Sequence, residues 1–283
     1  DLHAADSLDM VIIVPSSGKL LGEAQRLADA HARYDGLRVG VFRADQIYNE
    51  FSSGTPDATA YRRFMKMLYD RATTDARAPR YLLLMGDCAW DNRMLSTTWK
   101  SHSADDYLLC YESENSFSDT RCYVMEDYFG LLDDGEGVSP ILEKTDLGVG
   151  RFPVTTQAEA RAMVDKCIAF MSRSNAGAWK NLVFVLGDDG DQNSHMSSAD
   201  EVAEQVRLGC PGTEVHKVYW DAYQRVSTIK SNTYPEITSL LRRQMGEGAL
   251  VMNYTGHAAT YCLSHEFVLQ TEDFSSARGQ NLP

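Results

Sequence analysis

Basic side chains are scarce in this sequence: 27 Lys and Arg stand against 40 Asp and Glu, for a net charge of −13. A surface of that sign repels phosphate backbones and anionic headgroups, which argues against nucleic acid and anionic lipid as partners. Long apolar runs are missing too. None approaches the roughly 20 residues that a membrane-spanning helix needs. The six cysteines, at 88, 110, 122, 167, 210 and 262, include no C-x-x-C pair, which removes the common zinc and dithiol signatures. Cys167 falls on an apolar helix face and reads as a buried thiol. Cys110 and Cys122 flank a Ser/Asn/Asp-rich loop and can form a disulfide if the compartment is oxidising. There is no internal repeat of fixed period and no low-complexity tract, so solenoid architectures are excluded.

What is present is ordinary for a globular α/β protein: 283 residues, 43% hydrophobic and 24% charged. That is enough for one large domain or two packed subdomains. Continuous apolar runs at 10–14 (MVIIV), 81–85 (YLLLM) and 182–186 (LVFVL) predict strands buried on both faces. Further strands are expected at 37–42, 147–152 and 215–219. Between them, apolar residues at helical spacing predict helices over 20–34, 55–73, 157–173, 198–208 and 234–245, with a weak one over 267–277. Strands alternating with helices imply a parallel sheet with right-handed crossovers. The rhythm breaks over 91–146, a Ser-, Asp-, Glu- and Gly-rich excursion with short strands expected at 107–111 and 123–131. A segment so long and irregular is usually functional or exposed. The chain is expected to divide there, into subdomains 1–146 and 147–283.

The stretch Gly246 to Tyr261 (GEGALVMNYTGHAATY) concentrates the chemistry. Residues 249–253 read as a doubly buried strand that delivers His257 onto a Gly-containing turn. In α/β folds, ligands bind at that carboxyl edge. Imidazole is the side chain suited to general acid–base work near neutral pH. Gly256 is expected to supply the backbone freedom that aims it.

Three stretches together resemble the gingipain-type cysteine peptidases of the caspase-like clan: Tyr81–Asp87, Gly148–Val154 and Asn253–His257. Within that family, residues 126–137 and 252–260 look most like the cell-surface sortases of the type IX secretion system. The resemblance implies a caspase-like α/β fold with two side-by-side subdomains and peptide-bond chemistry through a cysteine nucleophile, with His257 as base. Asp188 lines up with an acidic residue that orients the histidine in some gingipains, although Asp189 can serve as well. The family places its cysteine on the strand after the histidine strand. The nucleophile is therefore expected beyond Pro283, and the chain as given is expected to be inactive. Cys262, five residues from His257, is read as a packed thiol; His195 and His265 are read as surface residues.

The resemblance implies no obligatory cofactor. Asp133, Asp134 and Glu136 offer oxygen ligands to calcium, which the wider family binds, but a solvated acidic turn is the first reading. Asp127–Tyr128 is expected to line the cleft or to pack. The implied partners are C-terminal sorting domains of secreted cargo, a surface lipopolysaccharide acceptor and other secretion-system components, at the outer face of the cell. The alternatives are a secreted gingipain-like endopeptidase and a non-catalytic caspase-like scaffold.

Overall fold

A computed structural model of the chain describes residues 1–112, 123–172, 176–227, 229 and 231–276. It resolves into two compact units, Asp1–Met171 and Ser172–Pro283. No helix among the described residues is long and apolar enough to cross a membrane.

The first unit runs β1 (Met10–Val14), α1 (Leu21–Tyr34), β2 (Val39–Arg43), α2 (Ala44–Phe51), α3 (Thr59–Asp70), β3 (Tyr81–Met85), β4 (Gly148–Phe152) and α4 (Gln157–Met171). Its sheet has the order β2-β1-β3-β4 and is parallel throughout. Because side chains alternate across a strand, the unbroken apolar runs feed both faces. Val11, Ile13, Leu82 and Leu84 pack with Ile47, Tyr61 and Phe64 of α2 and α3. Ile12, Val14, Leu83 and Met85 pack with Leu27 of α1 and Val164 of α4. Each fully buried aliphatic or aromatic side chain contributes about 1.5–3 kcal/mol relative to exposure.

Helix α2 was not foreseen from sequence. It follows β2 without a break, and the Gln46 side chain accepts the Arg43 N–H at 3.2 Å in place of a Ser or Asp cap. Helix α3 begins later than the 55–73 span suggests, because the Asp57 carboxylate accepts the Thr59 N–H at 2.8 Å and caps the helix there.

The excursion before β4 forms no extended strands at 107–111 or 123–131. It turns through single 3-10 turns at Ala104–Asp106 and Glu126–Gly130, with an isolated bridge between Glu112 and Val124. Burial explains the difference. Phe129, Leu131 and Leu132 are inserted into the core, and Tyr128 stacks on Tyr111 with centroids 3.7 Å apart while its hydroxyl donates to Thr59. Tyr128 therefore packs. Arg151 of β4 pins the excursion. Its guanidinium donates to Glu126 at 2.9–3.1 Å and to the carbonyls of Gly86 and Leu109 at 2.8 and 3.0 Å. Burial raises the Glu126 carboxyl above its ordinary range while the Arg151 charge pulls it back down.

In the acidic turn, Asp133 accepts from the Tyr69 hydroxyl, Asp134 pairs with Lys66, and Glu136 accepts the Asp133 N–H. Cys122 lies outside the described residues. The Cys110 thiol neighbours Cys88: its hydrogen bond and the nearby Arg151 charge lower Cys88 to about 7 against the cost of burial.

The boundary expected at 146 falls instead after Met171. Strand β4 is hydrogen-bonded to β3 in the first sheet, and α4 packs its buried Ala160 and Val164 into the core that β1 and α1 share. The helix end expected at 173 lies outside the described residues.

The second unit runs β5 (Leu182–Gly187), α5 (Ser194–Gly209), β6 (Glu214–Tyr219), a hairpin β7 (Val226–Ser227) and β8 (Asn232–Thr233), α6 (Pro235–Glu247), β9 (Val251–Thr255), a small meander β10 (Ala258–Ala259), β11 (Cys262–Leu263) and β12 (Leu269–Gln270), then α7 (Thr271–Ser276). Its parallel sheet has the order β6-β5-β9. Phe184 and Leu186 face Ile237 and Leu241 of α6; Val183 and Val185 face Ala199 and Ala203 of α5. Strand β9 is not doubly buried as its apolar run suggests. Among the described strands it is an edge, and Val251 is 47% exposed.

Arg151 generates a prediction. Replacing it with alanine leaves a partly buried carboxylate and two carbonyls without their donor, a class of change that costs about 1–3 kcal/mol. Urea unfolding of Arg151→Ala should show a loss of that order, with partial recovery in Arg151→Lys. A loss below about 1 kcal/mol would contradict the anchoring role.

Candidate active site

Two strand ends meet at the carboxyl edge of the second sheet. Gly187 of β5 is in register with Thr255 of β9, so the loops that follow leave side by side. The Asp188 N–H donates to the Thr255 carbonyl at 3.3 Å. Asp188 is 3% exposed, and its carboxylate is fully engaged. Oδ1 accepts from His195 Nδ1 at 2.6 Å and from the Gly190 N–H at 3.0 Å. Oδ2 accepts the His257 N–H at 2.9 Å and faces the Tyr254 hydroxyl at 2.8 Å. Burial pushes the Asp188 carboxyl up, but these four donors outweigh it and hold it below its ordinary value. The Tyr254 hydroxyl also lies 2.7 Å from the His257 carbonyl, so its one proton serves two acceptors. Burial and the Asp188 charge raise that phenol well above its usual range.

The imidazole of His257 is half-exposed. Its Nε2 lies 2.9 Å from Asp191 Oδ2. The ring meets His195 edge-on at 4.9 Å and lies 5.5 Å from His265, centroid to centroid. Asp191 reaches this position because Asp191, Gln192 and Asn193 all take left-handed backbone conformations, with φ of 50°, 58° and 64°. Left-handed backbone costs about 1–2 kcal/mol per residue for side chains with a Cβ. Asp and Asn tolerate it best. The turn brings Asp191 back over the first turn of α5, where His195 stands.

The sequence reading placed His257 and Asp188 together, and the structure does so through the backbone of His257. The carboxylate on the imidazole itself is that of Asp191. Asp189 turns away, accepting from the Tyr234 hydroxyl at 2.7 Å with Arg225 at 3.9 Å. His195, read as a surface residue, is partly buried and belongs to the cluster; His265 is exposed, as that reading has it, with its ring beside that of His257. A usable signal was present in the spacing Asp188, Asp191, His195, with Gly190 and Asn193 marking a tight loop before a helix.

Gly256 is needed for space. A Cβ there would overlap the Asp188 carboxylate and the Tyr254 hydroxyl, so the expectation of backbone freedom gives way to close approach. Cys262 is buried, its thiol donating to the Ser264 carbonyl at 3.6 Å. Cys210 follows α5, at the end of that helix remote from His195.

Comparison with known proteins decides the family. A model of peptidase family C25 matches residues 3–283. The chain belongs to peptidase family C25, the gingipain family of cysteine peptidases. Among solved structures it is similar to dimeric latent PorU from Porphyromonas gingivalis, with 36% identity and a TM-score of 0.56. That match covers 71% of this chain and 21% of the PorU chain, so this chain spans about a fifth of PorU's length. A second solved structure, of a protease, matches 97% of this chain and 50% of its own with a TM-score of 0.61. At 14% identity it speaks for the fold alone. No curated protein matches. The fold is caspase-like α/β, with parallel sheets flanked by helices.

The space argument at Gly256 is testable. Gly256→Ala should displace the Asp188 carboxylate and destabilise the protein by about 1–3 kcal/mol, the range for a buried polar group losing its partners. Gly246→Ala, in α6 with open space around it, is the control and should be neutral or slightly stabilising. Equal denaturation midpoints for the two variants would contradict the packing described.

Proposed function

We propose that this protein is a PorU-like cysteine peptidase and transpeptidase of type IX secretion. It removes C-terminal sorting domains from secreted cargo at the cell surface and passes the cargo to water or to an amine on lipopolysaccharide. The observation that carries the reading is the 36% identity to PorU across 71% of the chain, over a site in which one carboxylate contacts a half-exposed imidazole and a second holds its backbone.

The geometry supplies the parts of such a mechanism that the described residues can supply. With Nε2–H donated to Asp191, His257 carries its lone pair on Nδ1, and that nitrogen takes the proton of the attacking thiol. The thiolate attacks the scissile carbonyl, the C–N bond breaks, and the leaving amine takes the proton back from His257. Water or an amine then resolves the thioester. Asp191 stabilises the transient imidazolium. Asp188 acts at one remove, fixing the loop that carries His257. Neither cysteine of the second unit suits the thiol role: Cys262 is buried against a carbonyl, and Cys210 stands at the far end of α5. The reading therefore assigns the thiol role to neither described cysteine of the second unit.

Full-length protein, incubated with a cargo bearing a sorting domain and with an amine acceptor, should yield both free and amine-linked cargo by mass spectrometry. His257→Ala should lower both products by about 10²–10⁴-fold, the range for losing a positioned base, while Cys262→Ala retains activity. Hydrolysis with no amine-linked product would favour an endopeptidase. Full activity in His257→Ala would remove the base assignment.

A further inference from the structure

Asp191, His195 and His257 present their donor atoms to one point. Asp191 Oδ2 lies 2.9 Å from His257 Nε2 and 3.4 Å from His195 Nε2, and all three atoms fall within 4.8 Å of one another. Bonds of about 2.0–2.2 Å to nitrogen and oxygen in a tetrahedral zinc site put neighbouring donors roughly 3.4 Å apart. The longer separation already matches. The shorter one needs to open by a few tenths of an ångström, which the exposed Asp191 side chain can provide.

His195 makes this more than a surface pair of histidines. Its Nδ1 is bound at 2.6 Å to the buried carboxylate of Asp188, so Nδ1 carries the proton and Nε2 carries the lone pair, aimed at the other two donors. A carboxylate behind the far nitrogen of a histidine is the arrangement that orients imidazole ligands in metal proteins. His195 is mostly buried, while His257 and Asp191 are open to solvent. An ion can therefore enter from outside and keep a position for water.

We propose that Asp191, His195 and His257 bind a divalent transition-metal ion of the zinc class, and that binding switches off His257. Two imidazoles and one carboxylate favour zinc, cobalt, nickel or copper over calcium or magnesium. The switch follows from tautomer chemistry. Metal on Nε2 of His257 displaces the hydrogen bond to Asp191 and moves the ring's one remaining proton to Nδ1. That is the nitrogen assigned to accept the thiol proton, so the metallated ring has no lone pair to offer.

The binding part stands on the geometry alone; the inhibitory part rests on the reading of His257 as the base. The experiment separates the two. Zinc chloride is titrated into chelator-free protein by calorimetry, with cobalt(II) absorption reporting coordination geometry. One ion should bind with the spectrum of a four-coordinate site. Asp188→Asn should weaken it by about 10–100-fold, the usual effect of losing the partner behind a ligand. Asp191→Asn keeps an exposed side chain tolerant of the left-handed turn. It should unfold at the wild-type temperature without metal but lose the zinc-induced rise. No binding, or binding unchanged in Asp191→Asn and His195→Ala, would overturn the site. Where the full-length peptidase is active, zinc should inhibit it and a chelator should restore it. Site-specific binding without inhibition would overturn the switch and count against His257 as base while leaving the metal site standing.

Discussion

The Asp188 carboxylate holds together everything that gives the second unit its chemistry. A charged group that is 3% exposed is tolerable only when its lone pairs are filled. Here they are filled by donors from three segments: Gly190 in the loop after β5, His195 in the first turn of α5, and Tyr254 with the His257 amide at the end of β9. Losing the carboxylate would leave two loops with unmatched donors and nothing to set the height of His257 above the sheet. The burial cost of one ion thus becomes a positional constraint on the loop that carries His257.

That constraint differs from the job expected of Asp188, which was to orient the imidazole. Asp188 fixes where the His257 backbone runs, and Asp191 touches the ring. The division has a consequence for electrostatics. A buried, saturated carboxylate stays ionised and rigid, while Asp191, 60% exposed, is free to trade one partner for another. The same exposure leaves the Asp191 carboxylate open to any cation that reaches the loop.

Much of the framework was legible in the residues. The runs at 10–14, 81–85 and 182–186 became β1, β3 and β5 because a strand buried on both faces has no alternative to continuous apolar side chains. His257 was found because a strand ending in Gly-His can only deliver its side chain to the sheet edge. The failures share a physical cause. Residues 249–253 look like a central strand, but neighbours decide burial, and β9 is paired on one side only among the described strands. The break at 91–146 suggested a domain boundary, although β4, which follows it, pairs back onto β3. Asp191 and His195 sit in a polar run that reads as a solvated loop; only three successive left-handed residues turn it inward. Helix α2 was missed because its N-terminus uses a Gln46 side chain where Ser, Thr or Asp is the familiar signal.

The central claim is that Asp188 positions His257 through its backbone N–H, and the exchange of that amide with solvent reads it directly. Hydrogen exchange resolved at His257 in the native protein should show protection in wild type. In Asp188→Asn, where a neutral amide replaces the charged acceptor, protection should fall by about 10-fold or more, since a charge-assisted hydrogen bond is worth about 1.5–3 kcal/mol, with Tyr219 and Val185 amides as internal references. Unchanged protection at His257 in Asp188→Asn would contradict the account.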